Sequence, residues 1–465
     1  MKKLVSLLCT ALILNASQIT SSNALTLDEA LDILKSENLE IKAAGLEVNS
    51  AQKEEKTVSG KHWGKLDFVQ EIANSNDAGN VFGFKLTSRE ATFGDFGAAE
   101  FMGSAMPAMG VGQPIPTSAY TTPPQDLNYP DDRNFFQSKL QYEIPLFTGF
   151  QLSSYEGIMK SMTKMKTLEK SQMVNEKVYQ LRKSYYDMAL LNDSTEHLLT
   201  ILKNIETLED MTKSMLEVGY AKKVDLLEVQ AKKGNVERLL SHMDANKELL
   251  YQFISFLLNE NVRNIVAPED SEVPMPTYSN EDVLSNNLDI QRASTGLEVR
   301  KNMVDVSKSV YYPMVGAFAE ASTADDTFLG DASDHAAYTV GARLTWNIFN
   351  GGADNAAIEK AQLEHLKTTT QVQLAKKGIE LKLAKIRTEI ESFNSDITSL
   401  KSELKLADEI YKNYEGRYLE KLSSMSDVII KQSEQIQKIL ELQMTYNKRN
   451  ERIFALEKLA NGEQN

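Results

Sequence analysis

Residues 136–149 read FQSKLQYEIPLFTG, and residues 338–352 read YTVGARLTWNIFNGG. In both stretches every second side chain is mostly apolar or aromatic, and the side chains between them are mostly polar. This period-two alternation predicts a β-strand with one apolar face. No proline follows Gly149 until Pro268, and none follows Gly351. Each strand is therefore predicted to lead into a long helix.

Two environments are compatible with such a strand. It can be half-buried in a water-soluble sheet, or it can span a membrane with its apolar side toward lipid and its polar side toward a lumen. Periodicity alone does not separate them.

The helix predicted after Gly149 carries apolar residues at steps of three and four, which is a seam close to a heptad repeat. Residues 149–218 would extend roughly 105 Å as one helix, at about 1.5 Å per residue. The strongest local breaker is Asn192-Asp193-Ser194. A rod of this length cannot bury its stripe within its own domain, so it needs other helices beside it.

The chain contains an internal repeat. Phe147-Thr148-Gly149 aligns with Phe349-Asn350-Gly351, and Asn38-Leu39-Glu40-Ile41 aligns with Asn287-Leu288-Asp289-Ile290. The difference in residue number between aligned segments is not the same for these two pairs, because the first half has extra residues at 76–133. This stretch is rich in glycine and proline, so it is predicted to be a loop.

Each repeat is predicted to run helix, strand, loop, strand, long helix, turn, helix. The first repeat is 25–260, with a helix at 26–57, strands at about 64–74 and 134–147, a loop at about 76–133, and a helical hairpin at 149–260 that turns near 219–225. Residues 261–279 form a linker. The second repeat is 280–465, with a helix at 280–310, strands at about 312–322 and 336–348, and a hairpin at 351–462 that turns near 419–427.

The N-terminus has the pattern of a secretory signal peptide, residues 1–24. Lys2 and Lys3 precede an apolar run at 4–14, and Ser22-Asn23-Ala24 provides small residues for cleavage. The one cysteine, Cys9, lies within this run, which excludes cysteine chemistry in the mature chain. No later stretch is long and apolar enough for a transmembrane helix. A net charge of −14 argues against a nucleic-acid partner.

Four membrane strands would be too few to close a barrel, which takes about eight, and a membrane cannot host an open sheet edge. If the strands span a membrane, subunits must combine them.

The ordered motifs resemble the outer membrane efflux protein family typified by TolC, over the whole mature chain. They are LTLDEAL at 25–31, Tyr312-Pro313, IPLFTG at 144–149, WNIFNGG at 346–352, and VGYAKKVDLL at 218–227. The resemblance implies a mainly α fold with a small β part. It further implies a homotrimer whose 12-stranded barrel in the outer-membrane lipid of a Gram-negative bacterium continues as a periplasmic helical barrel. The implied partners are a periplasmic adaptor and an inner-membrane pump.

Two departures from the family pattern are visible. Lys421 stands where the first turn has Gly219, and Asn347 replaces the proline of the first strand-to-helix motif.

Acidic residues beside the two turns are the candidates for a pore constriction. Asp225 and Glu228 lie at i, i+3, and Asp427 takes the equivalent place in the second repeat. By resemblance a threefold axis would gather these acids into a cation-favouring ring. The alternative is that these acids cap helices. Asp225 and Glu228 have the spacing of one capping box, and Ser424 and Asp427 have the spacing of another. Ile430 replaces a second aspartate found in some relatives.

Three further groups of candidate residues follow from the resemblance and the motifs. The adaptor-docking candidates at the turns are Gly219, Lys222, Lys223, Arg417, Leu419 and Ser423. The strand-to-helix junctions contain Pro145, Gly149, Gly351 and Gly352. Tyr142, Phe147, Trp346 and Phe349 are candidates for an interfacial aromatic belt, although Phe147 and Phe349 fit junction packing equally well.

The five histidines are scattered, and no catalytic, cofactor-binding or metal-binding spacing is evident. The sequence thus predicts no enzyme, no cofactor and no metal site. The expected function is an exit duct for efflux, including multidrug efflux, or for type I secretion. The alternative is a periplasmic coiled-coil scaffold or adaptor without a pore. Neither the cargo nor the cognate pump follows from the sequence.

Overall fold

The computed structural model describes residues 24–328, 330 and 333–461. The predicted signal peptide, apart from Ala24, lies outside the described residues. The elements of the first half are α1 (Leu27–Glu37), α2 (Leu39–Gly60), β1 (Lys65–Ser75), α3 (Ala78–Thr87), α4 (Ala98–Met109), α5 (Thr117–Thr121), α6 (Gln125–Asn128), β2 (Arg133–Phe147), α7 (Gln151–Glu217) and α8 (Lys223–Leu258).

The second half follows the same order without the helices between its strands. Its elements are α9 (Asn280–Asn286), α10 (Leu288–Lys308), β3 (Met314–Asp325), β4 (Ala337–Thr345), α11 (Ala353–Leu419) and α12 (Met425–Ala460). All four predicted strands are present, with ends displaced by three residues or fewer.

The described residues form two compact units that differ from the predicted repeats, because each unit draws on both halves of the chain. The helical unit comprises the described parts of Met1–Ser50, Lys164–Gly296 and Thr369–Asn465. The sheet unit comprises the described parts of Ala51–Thr163 and Leu297–Thr368.

The sheet unit contains one antiparallel sheet in the order β1-β2-β3-β4. Its register places side chains of like character beside one another. Phe68 pairs with Leu140, which pairs in turn with Ala321 and then Tyr338. The apolar alternation of each strand therefore continues across all four strands.

The single helices predicted at 26–57 and 280–310 are each divided in two, and this prediction was wrong. Asn38 separates α1 from α2, and its amide donates to the Leu257 carbonyl at 2.8 Å. Asn287 separates α9 from α10, and its amide donates to the Leu459 carbonyl at 3.0 Å. Each side-chain oxygen accepts from the first turn of the following helix, so one residue ends one helix and caps the next.

The two long helices are continuous. α7 and α11 each contain 67 residues, or roughly 100 Å of helix. α7 runs through Asn192-Asp193-Ser194 without interruption, and the Ser194 hydroxyl donates to the Leu190 carbonyl at 2.9 Å. The helix continues through this segment because the apolar residues on either side of it, Leu191 and Leu198, are buried where the helical hairpins pack together.

The stretch 76–133, predicted to be a loop, contains four helices, α3 to α6. Asp77 caps α3 by accepting from the Asn80 amide at 3.1 Å. Pro116 and Pro124 occupy the N-cap positions of α5 and α6, where a missing N–H costs little. We call residues 76–132 the insertion. The prolines there begin short helices as well as separating them.

Three apolar clusters form the core of the helical unit. The first joins the helical hairpins α7–α8 and α11–α12 through residues such as Ile205, Val229, Tyr411 and Val428. The second packs α1 against α7 and the end of α8, and the third packs α9 and α10 against α11 and the end of α12. The stripes on the long helices are thus buried against other helices, as their spacing requires.

Among the described residues, no helix combines the length and the apolar character needed to cross a membrane.

Candidate channel wall and tip turns

The apolar face of the sheet is uncovered in the single chain. Phe68 is 67% exposed and Val340 is 71% exposed. The other exposed large apolar residues of this face are Leu66, Ile72, Leu140, Tyr338 and Leu344. A water-soluble sheet buries such a face, so this one requires an apolar surrounding.

The opposite face of the sheet is polar and charged. Lys139 pairs with Glu320 at 3.2 Å across β2 and β3, and Lys65 pairs with Asp67 at 2.5 Å on β1. The Arg343 guanidinium lies 5.8 Å from the centre of the Phe318 ring. This face can line water.

Within the described residues, β1 and β4 each pair with one strand only, so both lie at edges of the sheet. Their outer backbone N–H and C=O groups are available for pairing with another chain.

The strand-to-helix junctions have backbone conformations that favour glycine. Gly149 has φ +61°, and a Cβ there would lie 2.6 Å from the Ser309 carbonyl oxygen. Gly351 and Gly352 have φ +58° and +83°. In β2 the register shifts between Pro145 and Phe147, which bends the strand before the turn into α7.

The four candidate interfacial aromatics are in two situations. Phe147 packs edge-to-face against Phe150 at 5.3 Å and near Tyr312 at 6.4 Å, so it contributes to junction packing. The Tyr142 hydroxyl donates to the Trp63 carbonyl at 2.7 Å. Trp346 and Phe349 are exposed, as residues at a lipid–water boundary would be in one chain.

The first tip turn, residues 218–222, joins α7 to α8 in the helical unit. Gly219 has φ +77° with open space around its Cα. The Lys222 amide donates to Asp225 Oδ2 at 2.8 Å, so Asp225 ties the turn to the first turn of α8. Gly219, Lys222 and Lys223 are all exposed.

The second tip turn, residues 420–424, joins α11 to α12. Lys421 has φ +65°, the left-handed conformation that Gly219 has in the first turn. Ser424 and Asp427 form the expected capping box, with the Asp427 amide donating to Ser424 Oγ at 3.2 Å and Ser424 Oγ donating to Asp427 Oδ2 at 2.6 Å. The Ser424 hydroxyl and the Ser424 backbone amide both donate to the Asp427 carboxylate, and these two bonds lower the pKa of Asp427 below its ordinary value. Arg417 and Leu419 are exposed, and Ser423 donates to the Tyr414 carbonyl.

Glu228 does not take part in the capping box predicted with Asp225, and that prediction was wrong. Its carboxylate accepts from Ser426 Oγ at 2.8 and 2.9 Å, which links α8 to α12. The Lys421 ammonium lies 3.4 Å from the centre of the Tyr220 ring, which links the two turns. Sequence spacing within α8 could not indicate a partner 198 residues away.

Asp225, Glu228 and Asp427 thus share one end of the helical unit, beside the two linked turns. All three also have structural roles, two in capping and one in joining the hairpins. A carboxylate has about four lone-pair sites, so it can make a structural hydrogen bond and still interact with an ion.

The chain shares its fold with solved structures of membrane channels and outer-membrane proteins. CusC, described as forming a transmembrane channel, matches with TM-score 0.75 and 13% identity over 93% of this chain and 91% of its own. The outer membrane protein VceC of Vibrio cholerae matches with TM-score 0.73 and 14% identity over 94% and 96%. The Campylobacter jejuni CmeC outer membrane channel matches with TM-score 0.72 and 13% identity over 94% and 85%.

Residues 280–455 match the family model described as outer membrane efflux protein. No curated protein matches the chain in sequence. The predicted resemblance to the outer membrane efflux protein family is confirmed for residues 280–455 by this match. The solved structures share the fold along nearly the whole chain. Family and fold together support an outer-membrane efflux channel.

Proposed function

We propose that this protein is the outer-membrane exit duct of a tripartite efflux pump or a type I secretion system, passively conducting substrates to the exterior. The exposed apolar face of the four-stranded sheet is the observation that carries the proposal. Lipid acyl chains would cover that face, and the charged face behind it would line the aqueous lumen.

Closure of the channel requires other copies of the chain. Four strands do not close a barrel, and the edges β1 and β4 would meet unpaired in the bilayer. Three copies, each pairing its β4 with the β1 of the next, give a 12-stranded barrel without edges. The long helices α7 and α11 would continue the wall as a helical barrel in the periplasm of a Gram-negative bacterium.

The tip turns are the proposed docking surface for a periplasmic adaptor, which connects the duct to an inner-membrane pump. The exposed residues in these turns and in the adjoining helix ends include Gly219, Lys222, Lys223, Arg417 and Leu419, and Ser423 is partly covered. The cations there, with the exposed side chains of Val218 and Leu422, suit a partner helix end with acidic and apolar groups.

Asp225, Glu228 and Asp427 are the proposed constriction. In a trimer each would be repeated three times around the axis, and rings of carboxylates favour cations at a pore. The bond between Ser426 and Glu228 holds the hairpins together at this end of the helical unit.

The competing function is a periplasmic scaffold or adaptor without a pore. It shares the helical hairpins but provides no reason for an exposed apolar sheet face. Such a protein would be found in the soluble periplasmic fraction.

The first experiment is the native mass of the protein extracted from outer membranes in detergent, with the micelle contribution subtracted. We expect a mass of three chains. An integral monomer would contradict the shared barrel, and a protein confined to the periplasm would establish the scaffold. Conductance across a planar bilayer then tests the channel itself.

A further inference from the structure

Three side chains of metal-binding type converge within the sheet unit, although they come from separate segments. Glu90 follows α3 in the insertion, Asp325 ends β3, and His335 precedes β4. One ligand atom from each lies within 4.8 Å of the others. Their side chains are 30%, 11% and 14% exposed, so the group is largely shielded from water.

We propose that Glu90, Asp325 and His335 form a binding site for a divalent transition-metal ion of the Zn²⁺ class. Imidazole together with carboxylates suits zinc, and three protein ligands with one water complete a tetrahedral site. Ligands of such an ion lie roughly 3.3 Å apart, so the side chains need to close by at most about 1.5 Å.

Carboxylates are prominent among the described residues at the site. The Arg133 guanidinium pairs with Glu90 and lies 3.5 Å from the Asp326 carboxylate. Carboxylate oxygens from Glu90 and Asp325 are suitable ligands for a dication.

The surrounding hydrogen bonds orient both carboxylates. Ser88 Oγ and Arg133 donate to Glu90 Oε2. The Thr327 amide and hydroxyl donate to Asp325 Oδ1 at 3.0 and 3.2 Å. A carboxylate has about four lone-pair sites, so such bonds fix its direction and leave capacity for a metal, as outer partners do in metal sites.

The backbone also approaches the site closely. A Cβ at Gly330 would lie 2.3 Å from Asp325 Oδ2, so the segment fits there because residue 330 is glycine. His335 Nδ1 lies 3.1 Å from the Ala324 carbonyl oxygen and 3.5 Å from Asp325 Oδ2. A neutral imidazole keeps one nitrogen lone pair for a metal.

A bound ion would tie the insertion, through Glu90, to the segment between β3 and β4. The sequence predicted no metal site because the histidines are scattered and none has a second ligand at metal-binding spacing, and Glu90 is far from Asp325 and His335 along the chain. The alternative is a cluster without a metal, which ion pairs with Arg133 hold together.

The test is isothermal titration of Zn²⁺ into the detergent-purified protein after EDTA treatment and dialysis. We expect one ion per chain and at least tenfold weaker binding in His335→Ala and Asp325→Asn. His242→Ala, which removes an exposed histidine of α8, should bind like the wild type.

Folding is controlled by requiring an unchanged native mass and circular dichroism spectrum in each variant, with His335→Gln as the substitute if His335→Ala fails this criterion. Zn²⁺ should also slow proteolysis of the insertion in the wild type and in His242→Ala, and should have no such effect in His335→Ala or Asp325→Asn. Absence of one-to-one binding, or equal loss in His242→Ala and His335→Ala, would overturn the proposal. Comparable binding of Ca²⁺ would overturn the assignment to a transition metal.

Discussion

Asn38 and Asn287 lie at equivalent positions of the two halves and have the same structural role. Each is buried, each ends a helix, and each bonds a carbonyl near the end of a hairpin helix. The aligned Asn-Leu pairs at these positions are visible in the sequence. The break in the helix is not, because the carbonyl that Asn38 bonds is 219 residues away.

Replacing Asn38 by Ala should lower the free energy of unfolding by about 1–3 kcal/mol, because the Leu257 carbonyl would lose its donor and α2 its cap. Asn287→Ala should cost a similar amount. Asn192→Ala, on the exposed face of α7, is the control and should be neutral, since alanine favours helix. Denaturant unfolding measures all three. Equal values for Asn38 and Asn192 would show that the buried bonds contribute nothing.

Asp427 combines a cap with a charge, and two substitutions separate them. Asp427→Asn removes the charge and keeps an oxygen that can accept from Ser424, whereas Ser424→Ala removes the cap and keeps the charge. The bonds from Ser424 lower the pKa of Asp427, so the wild-type carboxylate is ionised at neutral pH.

We expect Asp427→Asn to reduce the cation preference of the reconstituted channel severalfold, and Ser424→Ala to leave it unchanged while costing about 1 kcal/mol of stability. Reversal potentials in a salt gradient provide the measurement. A loss of selectivity in both variants would assign Asp427 to capping alone.

At the scale of elements, the strands could be predicted and the insertion could not. A strand can be recognised from the alternation of apolar and polar residues within its own segment. β2, for example, begins one residue before its predicted start. The insertion helices are short and are fixed by contacts distant in sequence, such as the stacking of Phe84 on Phe135 at 4.2 Å. The glycine and proline content of the insertion therefore indicated where chain breaks occur, but it did not indicate the short helices that lie between those breaks.

The insertion should respond to acid through Asp95. The Lys85 ammonium, together with the Thr92 amide, lowers the pKa of Asp95 to about 2. A depressed carboxyl pKa stabilises the folded state above the ordinary value near 3.9, and this contribution is lost as pH falls toward 2.

Hydrogen exchange of residues 78–96, corrected for the intrinsic rate at each pH, should be constant from neutral pH to about 4 and rise below it. Lys85→Met should raise exchange at neutral pH and remove most of the step. An identical acid profile in Lys85→Met and the wild type would exclude this ion pair as the cause.

At the scale of the whole molecule, neighbouring residues of β4 test which face meets lipid. Val340→Lys would place a cation on the exposed apolar face and should cost about 2–4 kcal/mol near the bilayer midplane, seen as loss of assembled protein from the membrane fraction. Thr339→Lys, one residue away on the polar face, should assemble normally and lower cation conductance. If both assemble equally well, lipid does not cover this face.

The general architecture could be predicted from the sequence because its features occur in both halves of the chain. These features are the alternating strand pattern, the glycine at the strand-to-helix junction and the long helix without proline. The contacts that join the halves were not evident. Glu228 with Ser426 and Lys421 with Tyr220 each connect residues about 200 positions apart.

The uncovered apolar face of the sheet also determines how the protein must reach its destination. Before assembly, each newly exported chain would carry that face through water, together with two edge strands able to pair with any extended segment. Aggregation then competes with assembly, and the competition sharpens as the concentration of unassembled chain rises. We therefore expect assembly of the proposed channel to need periplasmic chaperones that keep the strands of unassembled chains apart.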